Sequence, residues 1–325
     1  MADASEMEQS KALELIAKLD RGSGILILLF YLEIRIGETV IQDLEEFCVR
    51  SLPLEPGETF SLCSCLQPLI LEGVNGLIKH DDDTGGLIFP QRLLDVMKPL
   101  LGDQAEAAFY NAIKSVHDYL PDSGILRYNL PESRHRCQAY APHVLKLNST
   151  FKEHLPRTLD KHMRLKLFDV LLNCAWYLLD TGAVEDAHQL VSSAETIEET
   201  IRPLESRRAG YLRAYLAFIN SLIAFRSKDH QIAKKKLEHS RAYYKHAFKE
   251  IDENLVAATL QITAVYLKYG LYTGVPAAFD GVRKDIDMKL LAPKTKTEIS
   301  IDLAKAYSGL RDYDSALAYH EKTYQ

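Results

Sequence analysis

Apolar positions recur at helical spacing over residues 11–32: Leu13, Leu15, Ile16 and Leu19, then the block ILILLFYL at 25–32, with the polar DRGSG at 20–24 as an intervening turn. The same periodicity predicts helices over 38–52 and 61–75, separated by the loop PLEPGETF at 53–60, whose Pro and Gly stop the earlier helix. Two short apolar, β-prone runs follow, GLIKH at 76–80 and GLIFP at 86–90. They are joined by DDDTG, in which Asp side chains bond nearby backbone N–H groups and Gly accepts a positive φ, so a β-hairpin is predicted. Helices then follow at 91–101, 103–120 and 132–154, the last two separated by the Pro/Gly/Ser-bearing LPDSGILRYNLPES. Three helices followed by a hairpin is the order of a winged-helix domain. From about residue 156 onward the chain reads as helix pairs with no strand signal.

The helix pairs repeat. In LAKAYSGLRDYDSALAYHEKTYQ, residues 303–325, Leu303, Ala304, Tyr307, Leu310, Tyr313 and Ala316 follow the tetratricopeptide pattern, with small residues where two helices cross and large ones filling the gaps beside them. In LLNCAWYLLDTGAVEDAHQLVSSA, residues 171–194, Ala175, Leu178, Gly182, Ala187 and Ala194 fall at the same relative positions, with Gly182 at the inter-helix turn. Weaker copies run over 212–240, with Ala233 as the small residue, and over 255–283, with Ala277 or Ala278. Ala187, Ala233, Ala277 and Ala316 are 46, 44 and 39 residues apart, so the helices exceed those of the usual repeat of about 34. The expected architecture is mainly all-α: a winged-helix-like domain with one small β-hairpin over 1–101, a helical spacer over 102–155, and a solenoid of tetratricopeptide-like repeats over 156–325. The last repeat ends without a polar capping helix, which predicts a homodimer or partner docking through that apolar end.

Composition narrows the function classes. The chain of 325 residues is 47% hydrophobic and 26% charged, ordinary for a globular protein, and its net charge of −6 argues against nucleic acid as the main partner. The 51–78 segment carries neither Lys nor Arg, so a third helix there has no cations with which to grip DNA. ILILLFYL is too short to span a bilayer. The acidic, polar N-terminus is not a secretory signal, and Cys48, Cys63, Cys65, Cys137 and Cys174 are scattered and odd in number; a cytoplasmic location is expected.

Candidate chemistry is sparse. Asp81, Asp82 and Asp83 read as the tip of the hairpin rather than as metal ligands, because Thr-Gly-Gly follows them and strand-like runs flank them. Cys63 and Cys65 face apart on a helix and have no second pair at zinc spacing. Cys137 and His143 fall on different faces of one helix, which spoils a nucleophile–base pair. The run Lys234–Lys236 reads as a solvated face. No metal or cofactor is expected.

The wing segment LILEGVNGLIKHDDDTGGLIFPQRLLDV, the spacer helix RHRCQAYAPHVLKL at 134–147 and the repeat LLNCAWYLLDTGAVEDA together resemble the C-terminal half of fungal STAND (NLR-like) ATPases, over roughly residues 10–325. In that family the wing hairpin ends in a motif whose His contacts nucleotide phosphates; the corresponding register here places Gln91 before Arg92-Leu93-Leu94. A G-x-x-x-x-G-K-[ST] loop is absent from the chain, so the ATP switch does not carry over, and the resemblance implies a sensor and scaffold half.

First helices of successive repeats line the concave face of such solenoids. The repeat register projects Asn173, Trp176, Tyr215, Phe218, Phe225, Arg226, Tyr266 and Tyr269 onto that face. An aromatic groove with an Asn and an Arg suits a peptide or partner protein, and equally an apolar small molecule. The expected function is therefore a non-enzymatic interaction protein or scaffold. The alternative is a motif-less enzyme of small-molecule biosynthesis, cyclase- or isomerase-like, with an enclosed apolar pocket. A third is a regulatory subunit acting on NLR-like relatives.

Overall fold

The computed structural model describes residues 35–51, 79–81, 86–89, 104–120, 131–154, 159–201, 206–247, 253–283 and 291–323. The helices expected over 11–32, 61–75 and 91–101 lie outside these, as do Cys63, Cys65, Asp82, Asp83 and Gln91. The described chain is mainly α-helical with a small antiparallel sheet, and it divides into two compact units, the first reaching Ser193 and the second beginning at Ala194.

The first unit starts with strand β1 (Arg35–Ile36) and helix α1 (Glu38–Ser51). The α1 helix has an acidic residue in its first turn and Arg50 in its last, both favourable to the helix dipole, and it buries Val40, Ile41, Leu44 and Phe47 along one face. The expected hairpin is present: β2 (Lys79–Asp81) pairs antiparallel with β3 (Gly86–Ile88), so Asp81 ends a strand opposite Gly86. β1 adds a third strand, in the order β1-β3-β2, with Ile36 opposite Leu87. Two residues are too few to show alternation, so β1 had no sequence signal. Gly86 is required there, because a Cβ on it would lie 2.2 Å from the Ile36 carbonyl oxygen.

Helices α2 (Gln104–Tyr119), α3 (Pro131–His154) and α4 (Lys161–Thr181) complete this core, and α5 (Val184–Ile201) follows α4. Buried polar pairs fix their arrangement. The Tyr140 hydroxyl on α3 donates to the Asp43 carboxylate on α1 at 2.9 Å, and Arg136 Nη1 donates to the same oxygen at 3.3 Å. Burial pushes the Asp43 carboxyl above its usual range, while the Tyr140 hydrogen bond and Arg136 pull it back. On the other side, His117 Nε2 of α2 lies 3.3 Å from Asp169 Oδ2 of α4.

The second unit takes in the end of α5, from Ala194, and then α6 (Arg207–Arg226), α7 (His230–Ala247), α8 (Glu253–Lys268), α9 (Gly274–Arg283), α10 (Pro293–Gly309) and α11 (Tyr313–Lys322). Each helix packs on its successor, and α8 also packs on α10.

One turn geometry recurs four times among the described residues. Gly182, Lys228, Gly270 and Arg311 each adopt a left-handed conformation, with φ of 93°, 62°, 71° and 63°. At each, the following N–H reaches back to a carbonyl in the last helical turn: Ala183 to Leu178 (2.8 Å), Asp229 to Ala224 (2.9 Å), Leu271 to Tyr266 (2.8 Å) and Asp312 to Tyr307 (2.9 Å). This double-bonded C-terminal cap satisfies carbonyls that the helix leaves open. In two turns the next residue starts the following helix: Asp229 and Asp312 accept from the N–H groups of Ile232 and Ser315, each at 3.1 Å.

The recurrence fixes the repeat register at spacings of 46, 42 and 41 residues. Five residues after each turn stand Ala187, Ala233, Val275 and Ala316, and seven before it stand Ala175, Ser221, Thr263 and Ala304, all small or β-branched and all buried. Val275 stands at the position equivalent to those alanines; of the two alanines expected there, Ala278 is buried as well and Ala277 is exposed. The third turn begins at Tyr269, ahead of the apolar LYTGVPA run that marked it in the sequence, so the second helix of that pair starts at Gly274.

Candidate functional site

The residues projected onto a concave aromatic face divide between the two units. In the first, Asn173 is buried on α4, where its amide donates to Asp169 at 3.3 Å, and Trp176 is half-buried. In the second, Tyr215, Phe218, Phe225 and Tyr266 are buried core side chains. Phe225 stacks on the half-buried Tyr269, with ring centroids 4.1 Å apart and planes 6° from parallel, and so ties the end of α6 to the end of α8. Tyr266 lies under the start of α9, where a Cβ on Gly274 would come 2.9 Å from its ring. Arg226 alone of the eight is exposed. Within the second unit, the Phe225–Tyr269 stack holds one hairpin to the next.

The reactive-looking groups are also structural. Cys137 and Cys174 are free, buried thiols, and burial pushes the Cys137 thiol up to about 11, away from a nucleophilic thiolate. His143 is enclosed next to the Tyr140 ring, and burial lowers it to about 4, so it stays neutral. Among the described residues, no group of His, Cys, Asp and Glu side chains could hold a metal ion. No helix among them is long and apolar enough to cross a membrane.

A groove of about 410 Å³ lies in the second unit, between the last turns of α5 and the middle of α7, with α6 as its floor. Its placement follows from packing. The α6 helix begins at Ser206, whose hydroxyl accepts from the Ala209 N–H at 3.1 Å. Its middle, between the terminal arginines, is apolar on most sides because it is covered on more than one side. α7 is amphipathic: Ala233, Leu237, Ser240 and Tyr244 form one buried stripe, and the Ser240 hydroxyl donates to the Ala214 carbonyl of α6 at 2.8 Å. That small-residue approach brings α7 close to α6. On the other side, Arg213 pins α5: its Nε lies 3.2 Å from Glu198, and its Nη2 donates to the Ile201 carbonyl at 2.9 Å. Asn220 donates to Glu195 at 2.9 Å.

The two walls differ in charge. The α5 wall presents Glu195, Glu198 and Glu199, and α5 contains no Lys or Arg. The α7 wall presents Lys236, His239 and Tyr243, on a helix that carries four lysines and Arg241 against the single Glu238. Glu198 is largely neutralised by Arg213, whereas Glu195, Glu199 and His239 are exposed to solvent. The floor between them is Leu216 and Ala217. The site is therefore an open, bipolar trough with a narrow apolar base.

The floor residues Arg213, Leu216, Ala217 and Asn220 form a different stripe of α6 from the aromatics Tyr215 and Phe218. The signal that marks them is the polar pair Arg213 and Asn220, seven residues apart in the largely apolar middle of the helix, bracketed by an acidic helix before and a basic helix after. The chain matches no protein-family model, no curated protein and no solved structure.

Proposed function

We propose that the protein is an interaction protein or scaffold that docks a helical or extended segment of a partner protein in the trough between α5 and α7. The observation that carries this reading is the trough itself: oppositely charged walls on either side of an apolar floor. Such walls orient a partner and reject wrongly charged ones, while the floor takes an apolar anchor. Its rim side chains Glu195, Glu199, His239 and Tyr243 are exposed, which suits a surface ligand better than a sequestered substrate.

The repeated turn at Gly182, Lys228, Gly270 and Arg311 supports a tetratricopeptide-like reading of the helix pairs, and the hairpin against α1 supports a winged-helix-like reading of the first part. Descent from the scaffold half of an NLR-like protein, and a cytoplasmic location, belong to the same proposal.

The test is a comparative pull-down from the native cell extract. Two variants are used: Ala217→Arg, which fills the floor, and Lys236→Glu/His239→Glu, which reverses one wall at accessible positions. Circular dichroism establishes that each is folded. The expected result is loss of partners from both variants; retention of every partner by two folded variants refutes the reading.

A further inference from the structure

Among the described residues, five large apolar side chains are exposed: Ile232, Tyr243, Leu310, Tyr313 and Leu317. Two of them, Ile232 at 50% and Tyr243 at 44%, stand on α7. The positions 232, 236, 239 and 243 are spaced as one stripe of a helix, so Ile232 and Tyr243 bracket Lys236 and His239 along the rim of the trough. This rim is an apolar and cationic ridge. Its complement is the opposite wall of the same trough, where Glu195 and Glu199 stand exposed beside the Leu216 and Ala217 floor. The ridge cannot enter the trough that it borders. A second molecule supplies both halves.

We propose that the occupant of the trough is a second copy of this chain, whose α7 ridge seats between α5 and α7 of the first, with the relation reciprocal about a two-fold axis. This rests on the reading of the trough as a docking site and names its partner. The two α7 helices then run antiparallel beside the axis. Each Lys236 approaches the carboxylates of the other copy's α5, and each Tyr243 and Ile232 covers the other copy's floor. Reciprocal seating uses one patch twice and closes at two molecules, as an isologous interface must. A helix lying in a groove between two others packs at about 8–10 Å from each, the ordinary helix–helix distance. Arg213 and Asn220 hold the acidic wall in place for this contact, because they tie Glu198 and Glu195 to α6.

The test is charge reversal read by sedimentation velocity of the full chain over a concentration series. The wild type is expected to dimerise, and its dissociation constant to rise with salt. Glu195→Lys/Glu199→Lys makes both walls cationic, and Lys236→Glu/His239→Glu makes both anionic. Each variant alone is expected to dissociate at least roughly tenfold more readily than the wild type. An equimolar mixture of the two is expected to recover a one-to-one dimer, because each ridge again meets an opposite wall. A wild type that stays monomeric throughout overturns the proposal, as does a mixture that fails to associate. Dimers that survive both reversals and are lost in Leu317→Asp overturn it in favour of the α11 face. If copies do not associate while Ala217→Arg still strips partners in the pull-down, the second-copy proposal falls and the docking site stands.

Discussion

His143 gives the fold a specific sensitivity to acid. The imidazole sits on α3 inside the first unit, almost wholly buried against Tyr140. Burial disfavours the imidazolium and lowers the group from 6.5 to about 4. An unfolded chain restores the ordinary value. The folded-state value is the depressed one, so between pH 6.5 and about 4 the unfolded state binds a proton that the native state refuses. The associated stability is complete above 6.5, declines as pH falls through this window, and is lost at about 4. A shift of this size corresponds to about 3 kcal/mol, at about 1.4 kcal/mol for each pH unit. Buried carboxyls act in the opposite sense. Asp43, raised by burial, and Asp302, also raised by burial, lose native charge early and gain relative stability as pH falls. The comparison that isolates the imidazole is therefore wild type against His143→Gln. The assay is urea unfolding from about pH 7.5 to about pH 4, followed by the fluorescence of Trp176, the only tryptophan, which lies in the same unit. Wild type is expected to lose about 3 kcal/mol more than the variant across this range. The variant is expected to be less stable at neutral pH but flatter in its response. Parallel stability curves for the two proteins would refute the burial argument.

Three further outcomes follow from the packing. Lys228 occupies a left-handed turn that costs an L-residue roughly 1–2 kcal/mol, so Lys228→Gly is expected to stabilise the second unit by about 0.5–1 kcal/mol after chain entropy is counted, while Gly182→Ala destabilises its own hairpin by about 1 kcal/mol; thermal melts of both variants check the pair of signs. Gly86→Ala places a methyl group against the Ile36 carbonyl oxygen and is expected to cost about 2 kcal/mol or more, with loss of hydrogen-exchange protection at Leu87; unchanged protection would contradict the strand approach. Tyr140→Phe removes the shorter of the two bonds to the buried Asp43 and is expected to cost about 1–3 kcal/mol by urea titration, with a smaller loss at acid pH, where Asp43 is protonated.

The helical elements were legible where a periodic apolar face bordered a clear stop. Helices over 38–51, 104–119 and 131–154 fall within a residue of their expected bounds, because Pro and Gly flank them and one face of each is buried. The hairpin was legible from its turn chemistry. The repeat register was legible at Gly182 but only approximately at the third pair, where Val275 stands at the equivalent position and the expected Ala278, three residues on, is buried as well. Nor did the turn residues announce themselves, since Lys228 and Arg311 adopt the same left-handed geometry as glycine. The groove was harder still. Aromatic side chains such as Tyr215 and Phe218 carry the strongest sequence signal, and that is the signal of core packing between helices. The surface stripe on α6 is made of Arg213, Leu216, Ala217 and Asn220, which are individually unremarkable. Only the charge contrast of the helices on either side distinguishes it, and a contrast between α5 and α7 acquires meaning once both are known to border one trough.

Site-directed photocrosslinking inside the native cell addresses the docking trough most directly. p-Benzoylphenylalanine placed at position 243, on the exposed α7 rim, reports contacts made over the trough, and the same group at the exposed position 294 serves as control in the same unit. Specific adducts from position 243 and none from position 294 are the predicted result, with an adduct of twice the chain mass if the occupant is a second copy. Equal adducts at both positions, or none at 243, would contradict the assignment of the trough as the docking site.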